Sequence, residues 1–290
     1  MRRLQASCIV AALTALEGCC GSGVGRLEPR SAAEYAEHAA DLRADAPPGF
    51  TIVVVPPFIV AGDGPPSAVR ADAQDLVGWA VKLLKADYFA RDPVDIVDIW
   101  LFDGEESYLR NTDVMFGEYP LSPYGYYSPC EDALIMNAAT GGGTLVHEMV
   151  HPFMAANFPG CPSWFNEGLA SLYEQTEEKD GHIHGRTNWR LAGLQQAIRT
   201  RRVPSVEALT STSRSEFYDR DTRGTNYAMA RYLCFYLQER GLLIRFFHRF
   251  NENRENDPTG YATLKEILGE ADLEAWQARW ETFVMGLSFP

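Results

Sequence analysis

Two histidines four residues apart, with a glutamate beside the first, form the segment of this chain best suited to chemistry. His147 and His151 enclose Glu148 in an H-E-x-x-H pattern. Residues four apart lie on the same face of an α-helix, so the two imidazoles can bind one metal ion together. Glu148 lies next to them, where its carboxylate can reach a metal-bound water. The alternative is a solvated helix that carries these residues by chance.

The residues around this motif favour a metal site over that alternative. The segment from 144 to 150 is apolar outside the motif, with Leu145, Val146, Met149 and Val150, and this pattern predicts a buried helix. Burying two histidines and a glutamate without a partner is costly, and a metal ion removes that cost.

A second motif supplies a third ligand. Zinc in hydrolytic sites usually takes three protein ligands and leaves a fourth position for water. Glu167 lies in the sequence W-F-N-E-G-L-A at 164 to 170, which we predict to be a helix capped by Ser163. Pro152, together with a Pro/Gly-rich stretch at 159 to 162, is expected to end the first helix and fold the chain back. Taken alone, Glu167 would be a surface carboxylate.

The two motifs together resemble the gluzincin branch of the MA clan of zinc metallopeptidases, which is related to thermolysin and the aminopeptidases. The resemblance covers residues 141 to 175 and extends more weakly to 226 to 230. It implies a Zn²⁺ ion held by His147, His151 and Glu167. It also implies that Glu148 is the catalytic general base.

The chain departs from that family at one position. Thermolysin-like enzymes have an aspartate one turn after the ligand glutamate, where it orients a ligand histidine. Here this position is Ser171. The orienting group must therefore be found elsewhere, and the candidates are Ser171 itself, Asn166 and Glu174.

A donor to the oxyanion is the remaining catalytic part that the resemblance implies. Tyr227 matches the family's helical tyrosine in its local sequence, and a buried structural tyrosine is the alternative reading of this residue. Tyr218, Arg223 and His184 remain candidates for the same role.

These observations predict a zinc metallopeptidase that hydrolyses peptide bonds of a peptide or protein substrate, with Glu148 activating a zinc-bound water. An aminopeptidase is one alternative. That activity needs an acidic anchor for the substrate amine, and no G-x-M-E-N-like segment precedes the first motif. A non-catalytic, zinc-stabilised binding or assembly protein of the cell envelope is the other alternative.

The first residues of the chain predict export. Arg2 and Arg3 precede a short apolar stretch at 8 to 16, the pattern of a signal peptide ending at residue 18. The sequence L-E-G-C at 16 to 19 resembles a bacterial lipobox, so Cys19 is expected to carry a lipid that anchors the protein in the cell envelope. Ordinary signal cleavage, which gives a soluble periplasmic or secreted protein, is the alternative.

The charge of the chain argues against some classes of binding partner, and its cysteines allow one disulfide near the predicted active site. The chain has 26 basic and 39 acidic residues, a net charge of -13. This charge argues against nucleic-acid binding and against docking on anionic lipids. Cys130 and Cys161 flank the predicted active site and could pair in an oxidising envelope, or remain free thiols.

The predicted fold class is α+β and zincin-like: a small mixed sheet whose edge strand lies above the metal helix, and a mostly helical C-terminal lobe. Residues 19 to 49 are expected to be a tether with a short helix at 32 to 43, and His38 is expected to be solvated. An α/β lobe should follow at 50 to 139, with strands at 50 to 60 and 94 to 102 and helices at 68 to 89 and 105 to 111. Pro56 and Pro57 should either limit the first strand to an edge of the sheet or split it. The helical catalytic lobe should span 140 to 290. The segment 126 to 139 is the candidate edge strand that a substrate would extend.

Overall fold

The computed structural model describes residues 29–289, except 118, 121, 129 and 130. The predicted signal peptide, Cys19 and Cys130 therefore lie outside the described residues. The fold is α+β, with a small mixed sheet, as predicted. The chain divides into two compact units. One contains the described residues up to Leu76 and Val94–Leu145, and the other contains Val77–Pro93 and the residues from Val146 onward.

The first unit contains a five-stranded sheet formed by β1 (Thr51–Val55), β2 (Phe58–Gly62), β3 (Val97–Phe102), β4 (Gly125–Ser128) and β5 (Ala133–Asn137). The strands lie in the order β1-β2-β3-β5-β4. β2 and β5 both run parallel to β3, whereas β1 and β4 pair antiparallel at the two edges. The three inner strands are buried along their whole length, which their continuous apolar sequences require. The elements of this unit are α1 (Ala32–Asp45), β1 (Thr51–Val55), β2 (Phe58–Gly62), α2 (Pro66–Ala71), β3 (Val97–Phe102), α4 (Glu105–Phe116), β4 (Gly125–Ser128) and β5 (Ala133–Asn137).

Two predicted strands are hairpins in the structure. The segment 50 to 60 divides at Pro56 and Pro57 into β1 and β2. The segment 126 to 139 is not one edge strand: it contains parts of both β4 and β5, with Tyr126 paired to Ile135. Only β4 lies at the edge, because β5 pairs with β3 on its other side.

The predicted helix within the tether is a packed part of the first unit. α1 buries Tyr35 and Ala39 in a cluster with Ile59 and Ile96. The prediction that His38 is solvated needs correction, because its Nε2 forms a hydrogen bond with Asp98 Oδ1 at 2.9 Å. This helix is therefore an element of the fold and not a flexible linker, because its apolar face has a partner on the sheet.

The second unit is mostly helical and holds both motifs. Phe89, Phe153, Phe158, Phe165 and Phe247 pack together in its core. Residues Val77–Pro93, which the sequence assigned to the first lobe, belong to this unit because Phe89 and its neighbours join that core. The elements are α3 (Trp79–Asp87), α5 (Gly142–Asn157), α6 (Ser163–Leu172), β6 (Thr176–Lys179), β7 (His182–Gly185), α7 (Arg190–Arg199), α8 (Val206–Thr210), α9 (Arg214–Phe217), α10 (Arg223–Glu239), α11 (Leu243–Asn253), α12 (Tyr261–Leu268) and α13 (Leu273–Met285). A π-helical segment, Asp72–Gly78, precedes α3.

Two local predictions in this unit need correction. Pro152 does not end the first motif helix, because it lies inside α5, which continues to Asn157. Asn157 anchors that last stretch, since its side-chain amide donates to the carbonyl of Arg91 at 2.8 Å. The N-cap of α6 is Pro162, with no side-chain capping bond, and Ser163 is the first helical residue. In the part of the chain that the structure describes, no helix is long and apolar enough to cross a membrane.

Candidate metal centre

α5 presents the three residues of the first motif together. His147 and His151 lie one turn apart, with ring centroids separated by 5.0 Å. His147 and Glu148 are each only 8% exposed. Their burial follows from the apolar residues between and around them: Val146, Met149 and Val150 are completely buried.

α6 brings Glu167 to the same point. Its Oε2 lies 3.4 Å from His147 Nε2 and 3.9 Å from His151 Nε2. One ligand atom from each of these three residues falls within 4.8 Å of the others, the one such group found in the described residues. Around a tetrahedral zinc ion with ligands at 2.0–2.1 Å, neighbouring ligand atoms are about 3.3 Å apart. The two separations from Glu167 Oε2 therefore need only a small contraction to reach this value.

Buried atoms without partners support a metal at this position. Glu167 Oε2 and His151 Nε2 are both buried and make no hydrogen bond. Leaving such atoms unpaired is costly in a folded protein. A cation between them would satisfy both atoms, so the residues present fit a metal ion.

Both histidines are oriented by side chains behind them. His151 Nδ1 lies 3.0 Å from Asn166 Oδ1, and His147 Nδ1 lies 3.5 Å from Glu174 Oε1. These contacts leave each Nε2 directed toward Glu167. Of the three candidates for this role, Asn166 forms a hydrogen bond with His151 Nδ1. Glu174 faces His147 Nδ1 at ion-pair distance, without a hydrogen bond. The Ser171 hydroxyl is buried and makes no hydrogen bond.

Glu174 is itself held in place by an arginine. Arg190 donates from Nη2 to Oε1 at 2.5 Å and from Nε to Oε2 at 2.9 Å, and Asn188 Nδ2 donates to Oε2 at 2.8 Å. Burial would raise the pKa of Glu174, but the charge and hydrogen bonds of Arg190 lower it. The Arg190 guanidinium also lies over the ring of Tyr227, 5.1 Å from its centroid. Nothing local in the sequence marks Arg190 and Asn188 as partners of Glu174.

α6 packs closely against α10 at Gly168, the residue that follows Glu167. A side chain at Gly168 would place its Cβ 2.9 Å from the Ala230 carbonyl oxygen and 3.1 Å from Cys234 Sγ. Gly168 faces α10, and only glycine permits this separation.

Glu148 is placed to handle a proton. Its Oε2 is buried and has no hydrogen-bond partner. Burial raises the pKa of Glu148, and the two neighbouring imidazoles act in the opposite direction. A carboxylate with one free oxygen beside a metal position can hold a water molecule and accept its proton.

Two tyrosines lie beside the three ligands. The Tyr218 hydroxyl donates to Glu167 Oε1 at 2.5 Å. Tyr227 is only 4% exposed, and its ring centroid is 6.1 Å from that of Tyr218. Burial raises the pKa of Tyr227, and the carboxylates of Glu167 and Glu148 act in the same direction. Tyr218 and Tyr227 are therefore both in the immediate surroundings of the site.

The other histidines of this unit have separate partners. His182 Nδ1 lies 2.6 Å from Asp87 Oδ1, and His184 Nε2 lies 3.2 Å from Glu239 Oε1. Both lie on β7 of the β6–β7 hairpin. Because each ring faces a carboxylate of a different helix, the two do not converge as a pair of metal ligands. The structure also gives His184 no contact with His147, His151 or Glu167.

Comparison with known proteins shows that part of this chain matches one protein family. A family model described as a protein of unknown function, DUF1570, matches residues 142–258. This segment begins at the first residue of α5 and contains every residue of the centre described above. A search of curated proteins found no match.

Proposed function

We propose that this chain is a zinc-dependent metallopeptidase with a zincin-like, gluzincin-type centre. The observation that carries the proposal is the convergence of His147 Nε2, His151 Nε2 and Glu167 Oε2, with the unpaired Glu148 carboxylate beside them. Two imidazoles and one carboxylate are a ligand set that zinc hydrolases use. Non-haem iron oxygenases use a similar set, but their chemistry does not call for a general base such as Glu148.

Each protein group has a defined task in this proposal. Zn²⁺ would act as a Lewis acid that polarises the scissile carbonyl and makes water a better nucleophile. Glu148 holds the attacking water, accepts its proton and returns it to the leaving amine. Tyr227 donates a hydrogen bond to the oxyanion as it develops. Asn166 and Glu174 keep the two imidazoles in their orientation throughout.

The test is a digest with the purified full chain. A mixture of synthetic peptides should be cleaved by the protein as purified, left intact in the presence of a chelator, and cleaved again after Zn²⁺ is restored. N-acetylated peptides in the mixture separate endopeptidase from aminopeptidase activity, because a blocked amine prevents the latter. Elemental analysis should find about one zinc per chain. His147→Ala and Glu167→Ala should each lose most of that zinc.

Glu148→Gln tests the general base directly. The variant should keep its zinc and lose activity, because the amide cannot accept a proton from water. Glu255→Gln is the matched control. It makes the same chemical change at an exposed residue that follows the C-terminal end of α11. Undiminished cleavage by Glu148→Gln would reject the mechanism. A protein that binds zinc and cleaves none of the peptides would favour the non-catalytic envelope protein.

We also propose export and lipid anchoring at Cys19. This part rests on the charged residues Arg2 and Arg3, the apolar stretch after them and the lipobox-like sequence at 16 to 19. A location in the cell envelope would bring the enzyme to exported peptide or protein substrates.

A further inference from the structure

We propose that Tyr218 is a positioning residue for Glu167: its hydroxyl holds one carboxylate oxygen, so that only the other is available to the metal. The inference rests on the proposed metal centre, and it concerns the ligand arrangement and not the identity of the substrate. Neither the H-E-x-x-H pattern nor the W-F-N-E-G-L-A sequence points to Tyr218, which lies 51 residues beyond Glu167.

The two oxygens of Glu167 have different surroundings. Oε1 accepts the short hydrogen bond from Tyr218, 2.5 Å from the hydroxyl oxygen. Oε2 has no hydrogen-bond partner and lies on the side of the two imidazoles, 3.4 Å from His147 Nε2. The carboxylate is thus already divided into an oxygen held by the protein and an oxygen free for a cation.

This division matters for the number of ligands. Two imidazoles and one carboxylate oxygen occupy three positions and leave a fourth open for water or substrate. If both oxygens of Glu167 bound the ion, the same three residues would fill four positions. Tyr218 donates a short hydrogen bond to the charged oxygen Oε1. This bond opposes a contact between Oε1 and the metal ion. The open position is the one that hydrolysis requires.

Tyr218 is fixed by contacts that do not involve the metal ligands. It follows α9, whose capping box joins Ser213 and Glu216 in both directions. Asn226 Nδ2 donates to the carbonyl of Phe217 at 3.1 Å and so ties this short helix to α10. The Arg214 guanidinium lies over the Tyr218 ring, 5.6 Å from its centroid. The hydroxyl is therefore held in place before a metal binds, as a positioning group must be.

The chain offers a matched control for the loss of this hydroxyl. The ring centroid of Tyr227 lies 6.1 Å from that of Tyr218. The hydroxyl that donates a hydrogen bond to Glu167 Oε1, however, is that of Tyr218. Tyr218→Phe and Tyr227→Phe thus remove the same atom from adjacent rings. Only the first change frees Glu167 Oε1.

The experiment measures metal binding by the full chain, without reference to activity. Zn²⁺ affinity is measured by competition with a chromophoric chelator, and the coordination is read from the visible absorption of the Co²⁺-substituted protein. Tyr218→Phe should weaken Zn²⁺ binding by about 10- to 100-fold, the usual effect of removing a group that orients a ligand. Its Co²⁺ bands should lose intensity, because a second carboxylate contact raises the coordination number. Tyr227→Phe should resemble the wild type in both measurements.

Thermal unfolding separates positioning from a general loss of structure. With the metal removed by a chelator, Tyr218→Phe and the wild type should unfold at similar temperatures, since the phenyl ring keeps the packing. Added Zn²⁺ should then raise the Tm of Tyr218→Phe less than that of the wild type, because the stabilisation follows the affinity.

The outcomes distinguish this inference from the proposed function. Wild-type affinity together with an unchanged Co²⁺ spectrum in Tyr218→Phe would overturn the role of Tyr218, as would an equal loss of affinity in Tyr227→Phe. A wild-type protein that binds no metal would contradict the proposed function itself. A wild type that binds zinc but cleaves no peptide would contradict only the peptidase activity and leave the positioning test valid.

Discussion

Replacing Gly168 by alanine should destabilise the second unit, although alanine is the better helix former. Gly168 lies within α6, directly after Glu167, and the added Cβ would meet the Ala230 carbonyl oxygen at 2.9 Å and its carbonyl carbon at 3.1 Å. Both atoms belong to the backbone of α10 and cannot turn aside as a flexible side chain would. α6 and α10 must therefore separate to admit the methyl group.

The magnitude follows from two opposing effects. Overpacking a well-packed core costs about 1–3 kcal/mol, and a backbone neighbour places this site near the upper end. Helix propensity returns about 1 kcal/mol when glycine becomes alanine. The net loss of unfolding free energy is then about 2 kcal/mol, which lowers Tm by roughly 4–8 °C for a chain of this size.

Gly193→Ala is the matched control. Gly193 lies within α7, and a Cβ built there has nothing within 4 Å. It should gain the helix propensity without the clash, raising the unfolding free energy by about 1 kcal/mol. Urea unfolding followed by circular dichroism measures both variants against the wild type. We would abandon the close-packing argument if Gly168→Ala proved as stable as the wild type, or if Gly193→Ala lost stability equally.

Three further predictions concern other parts of the chain. Tyr227→Phe should keep its zinc and lower kcat by about 100-fold with little change in KM, because an oxyanion donor acts mainly in the transition state; a wild-type kcat would contradict the role of Tyr227 as that donor. Cys19 should be labelled by metabolic fatty-acid incorporation and Cys19→Ser should not; unlabelled wild type in the soluble envelope fraction would contradict anchoring. Burial raises the pKa of Asp98 to about 6, against the opposing effect of His38. The folded chain thus holds this proton more tightly than the unfolded chain, so the free energy of unfolding should fall as pH rises from about 4 to 6. Asp98→Asn should flatten that part of a urea-unfolding series against pH, and an unaltered slope would refute the assignment.

The parts of the site that sequence predicted are those that depend on local periodicity. His147 and His151 share a helix face because they are four residues apart, and the structure places them so. Glu167 could be inferred because it lies in a second helix a short turn later. The structure brings it to the same point as the two histidines. In each case the spacing along one or two adjacent helices determines the geometry.

The partners of these residues could not be found in the same way. Glu174 meets Arg190 across the intervening hairpin, and Glu167 meets Tyr218 across several helices. No period in the sequence relates such residues, since tertiary packing decides which side chains meet. The same limit explains β5: its sequence fits an edge strand or an inner strand, and only the pairing with β3 places it inside.

The charges around the centre give an independent reason for a divalent cation. Glu148, Glu167 and Glu174 are all buried, and Arg190 offsets one of these carboxylates. Burial lowers the pKa of His147, yet the surrounding carboxylates overcome this effect and raise it to about 9. Carboxylates that favour a positive charge on His147 would also favour a cation placed between the three candidate ligand atoms. The helices therefore supply the charge that a cation needs as well as the geometry that holds it.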